Sequence, residues 1–192
     1  MTPISQLVAV SVFAVLVAAS SPVALSQAAQ RSSDEQQAFL SALEKAEKGN
    51  ASAQFNLALL YYIGEGVPKN DVEAVKWYRH AADQGYSRAQ NDLGFMYAYG
   101  VGVPKNDAEA VKWYRRAADQ GNADAQDKLG FHYYMGIGVP ASYFNAYFWW
   151  NLAAAQGNEL AQKNRDTVAG IMTREQIAEA QRRSAAWKPK KE

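Results

Sequence analysis

No cysteine occurs among the 192 residues. Its absence excludes disulfides, thiolate metal sites, a cysteine nucleophile and a lipid-modified amino-terminal cysteine. Histidine is scarce too: the two residues, His80 and His132, offer no spaced metal-ligand set. An excess of charge of one sign is missing. Lysine and arginine number 20 against 19 aspartates and glutamates, leaving +1, no field that argues for a nucleic-acid partner. His-Glu-x-x-His, Gly-x-Ser-x-Gly and Walker-type patterns are absent, so the chain reads as a non-enzyme with no cofactor and no metal. With 48% apolar and 20% charged residues, it is not a disordered chain.

Before Arg31 charge is missing altogether. Leu7 to Ala19 is a weakly polar run of 13 residues, the length of a signal-peptide core and short of the roughly 20 residues of a bilayer span. Small residues follow, and Ala24-Leu25-Ser26 and Ser26-Gln27-Ala28 both place small side chains at the −3 and −1 positions. Residues 1–28 therefore read as a signal peptide cleaved between Ala24 and Ala29. The expected product is periplasmic or secreted, without integral membrane association. The usual basic residues ahead of the core are missing, so the alternative is an uncleaved anchor from Leu7 to about Leu25.

A 36-residue period organises the rest of the chain. Residues 50–85 laid over 86–121 match at 23 of 36 positions, and 86–121 over 122–157 at 16 of 36. Such a period is the signature of a solenoid. Each unit reads as two helices. Ala53, Leu57 and Tyr61 keep one face of the first, repeated as Ala89, Leu93, Tyr97 and Ala125, Leu129, Tyr133. Gly64 ends that helix and Pro68 stiffens the loop. Asn70 with Glu73, repeated as Asn106 with Glu109, forms a capping-box pattern for the second helix; in the third unit Ser142 is the expected cap, without the return bond. Ala74, Trp77, Tyr78, Ala81 and Ala82 form the apolar stripe of the second helix, and the recurrence of Trp77, Trp113 and Trp149 in register marks them as core rather than sugar-stacking rings. The Gly-x-Gly-Val elements follow helices, not strands, and read as helix-ending loops rather than phosphate cradles.

The ends are incomplete repeats, as solenoid ends are. Residues 34–48 align with a second helix alone. After Gly157 a fourth first-helix begins, but Arg165 takes the position held by Leu57, Leu93 and Leu129. Thr173 and Gln176 then open a last helix reaching about Trp187. The organisation is a solenoid over 34–187, with repeats at 50–85, 86–121 and 122–157, caps at 34–49 and 158–187, and a solvated basic tail at 188–192.

Ala89, Leu93-Gly94, Tyr97, Gly100 to Val103, Asp107, Ala110, Trp113-Tyr114 and Ala117 to Gly121 together resemble the Sel-one-like repeat, a relative of the tetratricopeptide repeat. The third unit departs with Tyr143 for the aspartate and Trp149-Trp150 for the Trp-Tyr pair. The resemblance implies an all-α, right-handed α-solenoid of antiparallel helix pairs, used as a protein-binding scaffold and often exported or facing the bacterial envelope. Some cysteine-rich relatives bind or hydrolyse β-lactams. Their cysteine pairs are absent here, which weakens that alternative; binding of peptidoglycan fragments is another.

Positions needed for stacking recur, whereas positions facing a partner drift. The first-helix stripe at i, i+4, i+8 and i+11 drifts most. It reads Ser52, Asn56, Leu60, Ile63, then Arg88, Asp92, Met96, Tyr99, then Asp124, Lys128, His132, Met135, all within about 80° at 100° per residue. In solenoids of the resembled kind the first helices line the concave face. A protein or peptide partner is therefore expected on Asp92, Met96, Tyr99, Lys128, His132 and Met135, with the methionines and tyrosine giving adaptable apolar contact.

Overall fold

The computed structural model describes residues 22–190, and all regular elements among them are α-helices. The apolar run Leu7–Ala19 lies outside the described residues. The chain divides into two compact units, one ending at Trp77 and one beginning at Tyr78.

The first unit holds α1 (Pro22–Glu47) packed against α2 (Ala51–Ile63). Sequence pattern predicts the opening cap helix only from residue 34; the observed helix starts at Pro22 and takes in the expected cleavage window. Proline suits that place, since a first helical residue has no intrahelical use for its N–H. Phe39 and Ala46 of α1 are buried with Ala53 and Leu57 of α2, and the Phe39 ring meets Tyr61 edge-on at 5.4 Å. The Asn50 side chain accepts from the Ala53 N–H at 2.8 Å, satisfying an orphan donor at the start of α2. Gly64 ends α2 at φ 79°.

Each connection to a second helix is closed by the same main-chain bond. Asn70 donates its N–H to the Tyr61 carbonyl at 2.8 Å, Asn106 to Tyr97 at 2.9 Å and Ser142 to Tyr133 at 2.8 Å. This bond explains why the predicted capping boxes form by half. Asn70 and Asn106 accept from the N–H groups of Glu73 and Glu109, but their own N–H groups are already spent on the preceding helix. Glu73 and Glu109 pair instead with Lys76 and Lys112. Ser142 caps as expected, accepting from Asn145 at 3.3 Å.

Helix α3 (Asp71–Asp83) runs through the division between the units. The second unit continues with α4 (Ser87–Tyr99), α5 (Asp107–Asp119), α6 (Ala123–Met135), α7 (Tyr143–Ala155), α8 (Glu159–Ala169) and α9 (Arg174–Ala186). Successive helices from α4 to α8 pack on one another, and α9 lies on α7. Large rings fit where side chains are missing. A Cβ added to Gly94 would lie 2.8 Å from the Tyr114 ring, and one on Gly130 2.7 Å from Trp150 Nε1. Arg115 of α5 donates to the Tyr133 hydroxyl of α6. Gln126 is buried and donates to the Ala118 carbonyl at 3.2 Å, while Gln156 donates to the Gln126 amide oxygen at 2.8 Å. The buried amide thereby bridges successive repeats with its polar atoms satisfied.

Arg165 lies on α8. Its guanidinium reaches Asn151 Oδ1 at 3.2 Å and pairs with Asp166. The cap α9 opens with the full capping box of Thr173 and Gln176 and bonds to α7 through Asn151 to Ser184 and Gln181 to Tyr147. The tail departs from expectation. Residues to 190 do not simply enter solvent, because the Lys190 N–H donates to the Asp119 carbonyl at 2.8 Å.

Candidate partner-binding face

The six residues expected to meet a partner divide in two. Tyr99 is 67% exposed and Met135 52% exposed. Lys128 is exposed and Asp92 half-buried. Met96 and His132 are buried, inside the unit rather than on its face. His132 lies 5.4 Å from the Tyr114 ring, and its Nδ1 is 2.9 Å from the Ile137 carbonyl. Burial lowers the imidazole pKa, against the bond to Ile137, which raises it; the neutral, donating ring is favoured. Its role is to tie the Gly-x-Gly loop to α6.

The reason lies in helical phase. At 100° per residue, positions i, i+4, i+7 and i+11 span about 60°, whereas i+8 sits at the edge, about 80° from the start. The exposed stripe of α6 is Asp124, Lys128, Phe131 and Met135, with Phe131 taking the place expected for His132. On α4 the same register gives Arg88, Asp92, Phe95 and Tyr99, and the rings of Phe95 and Tyr99 stack at 4.6 Å. Drift between units missed Phe95 and Phe131 because the residue is the same in both. The signal that could find them is large apolar type at a phase opposite the buried Leu93 and Leu129. The register continues into α8 with exposed Leu160, and exposed Ile171 comes after it.

Charges sit toward the amino-terminal ends of these helices and apolar groups toward the carboxy-terminal ends. Burial pushes the Asp92 carboxyl above its ordinary range; the Asn91 amide at 2.9 Å opposes this and the Asp124 charge adds to it. Behind the face, Asp127 is buried with its Oδ1 unpartnered. Its carboxyl is raised first by burial, with Lys128, Trp150 and Asn164 opposing and Asp124 adding. A raised carboxyl binds more protons folded than unfolded. Stability is therefore lost as pH rises from the ordinary carboxylate range through the folded value. Asp127→Asn is expected to raise stability at pH 7 by about 1 kcal/mol, with the gain shrinking toward pH 4; urea melts at both pH values measure it.

Among the described residues no cluster of His, Asp and Glu is placed to hold a metal ion. The Gly-x-Gly loops use their amides internally, with Glu65, Val101 and Ile137 donating to the carbonyls of Leu60, Met96 and His132.

Stacked helix pairs, satisfied internal amides and an exposed, mixed apolar and charged first-helix face define a helical-repeat scaffold. The chain belongs to the Sel1 repeat family, whose model matches residues 51–86, 87–122 and 123–158, each one residue later than the period counted from Asn50. Sel1 repeats mediate protein–protein interactions. Among solved structures the chain is similar to a protective antigen present in uropathogenic Escherichia coli strains, which displays an SLR fold: identity is 34%, TM-score 0.73, and the match covers 79% of this chain and 32% of that one. The chain thus spans about a third of that antigen's length. It is also similar to a Sel1 repeat protein from Oxalobacter formigenes, at 44% identity and TM-score 0.63, over 67% of this chain and 96% of that one. No curated protein matches. Among the described residues no helix is long and apolar enough to cross a membrane.

Proposed function

We propose that the chain binds a protein or peptide partner through the first-helix face of its second unit, with no catalytic step, in the bacterial cell envelope. The observation that carries this reading is the exposure of Tyr99, Phe131 and Met135 on successive first helices, while the residues that hold the stack are buried. Exposed apolar groups grouped in this way mark interaction sites. Asp92, Asp124 and Lys128 would set orientation, and a few apolar anchors would carry most of the affinity. Met96 and His132 support the face from behind. The envelope location rests on the apolar run Leu7–Ala19 and the small residues that come after it.

The double change Tyr99→Ala with Met135→Ala tests the face. Capture of the native partner is expected to fall by about 100-fold, two anchors at roughly 1–2 kcal/mol each, with the melting temperature nearly unchanged because both side chains are mostly in solvent. A collapse in melting would make the stripe part of the core. Unchanged capture would place the partner elsewhere.

A further inference from the structure

A second surface of this unit goes beyond that reading. The chain leaves α9 at Trp187, with φ −70° and ψ 144°, and residues 187–190 form no regular element. They lie on the connection from α5 to α6. Lys190 gives its main-chain N–H to the Asp119 carbonyl at 2.8 Å and its ammonium to the Asp119 carboxylate, also at 2.8 Å. Pro189 and Trp187 lie over Gly121, where a Cβ would meet them at 3.4 Å and 3.8 Å. Trp187 also meets Trp149 edge-on, with ring centroids 6.4 Å apart. A carboxylate for a base, a bare glycine for proline and an indole for an aromatic side chain thus read one short segment, with a main-chain bond fixing its register. These are the elements of peptide recognition.

The segment is lightly held. Lys190 is 69% exposed, and ion pairs so placed contribute little; Lys188 and Pro189 are exposed as well. We propose that Asp119, Gly121 and Trp149 form a docking seat for a partner protein's segment of the pattern aromatic-x-Pro-Lys, with residues 187–190 as the built-in competitor. A second copy of the chain is disfavoured as occupant. Its tail makes no contact that the resident tail lacks, and the resident tail has the advantage of effective concentration. A partner's segment would displace the resident tail through contacts beyond these four residues, added to the same seat.

The probe is a capped, fluorescein-labelled peptide, Ala-Trp-Lys-Pro-Lys, titrated with the full chain and read by fluorescence polarisation. Lys190→Glu in the protein weakens the competitor, and peptide affinity is expected to rise about tenfold. Adding Asp119→Ala to that variant is expected to remove the gain. Three results would overturn the proposal. One is no binding to the Lys190→Glu chain, or binding indifferent to Asp119→Ala. Another is a fall in melting temperature of more than about 5 °C on Lys190→Glu, which would make the tail a fixed part of the fold. The third is a concentration-dependent dimer of the unaltered protein that Lys190→Glu abolishes, which would assign the seat to a second copy.

Discussion

Trp113→Ala is expected to lower the unfolding free energy by about 3–5 kcal/mol, the range for truncating a large buried aromatic, read as a shift of the urea midpoint. Trp113 lies in the middle of α5 among Ala110, Tyr114, Ala117 and Ala118, all buried with it. Alanines let helices approach and leave grooves that only a large ring fills, so truncation opens a cavity the backbone cannot close. The indole adds a detail. Its Nε1 is buried without a hydrogen-bond partner, while the Arg116 guanidinium lies 4.8 Å from the ring centroid. Phenylalanine would keep most of the ring and remove the unpartnered donor, so Trp113→Phe should cost less than half as much. A loss below about 1 kcal/mol for the alanine variant would show a ring that is not part of the core, and would return the repeated tryptophans to consideration as a ligand platform.

The stacking positions were legible because the period repeats the constraint. Leu57, Leu93 and Leu129 are fully buried and identical in each unit, as a position between two helices must be. The partner face was legible in part. Drift identifies positions that stacking does not fix, but it does not distinguish solvent from a permissive pocket. Met96 and His132 differ between units although both are buried, so drift at that position does not mark a partner contact. Phe95 and Phe131 are alike although Phe95 is only half-buried and Phe131 is exposed. Telling these apart needs the helical phase of the neighbouring helix, which no single-helix pattern contains. The Lys190 contact with Asp119 was hidden for another reason. The residues are 71 apart, and no periodicity connects a tail to a turn.

The second Gly-x-Gly glycine shows how the repeat converts a single residue into a docking contact. Gly66 lies on the main chain of Glu35 within the first unit, and Gly138 on that of Asp107 within the second. Each contact spans the same separation in sequence and joins a loop to the preceding second helix. A Cβ on Gly138 would overlap the Asp107 carbonyl, a backbone atom that cannot rotate aside. The residue also has φ 70°, where a side chain costs roughly 1–2 kcal/mol. Gly138→Ala is therefore expected to cost about 2–5 kcal/mol, the conformational cost plus overpacking of roughly 1–3 kcal/mol. Gly157 supplies the comparison. It has φ 90° but no atom within 4 Å of an added Cβ, so Gly157→Ala should show the conformational cost alone, about 1–2 kcal/mol. Urea melts of the two variants separate the terms. Equal losses would mean that the loop shifts away without resistance, and that the second glycine serves the turn rather than the contact between repeats.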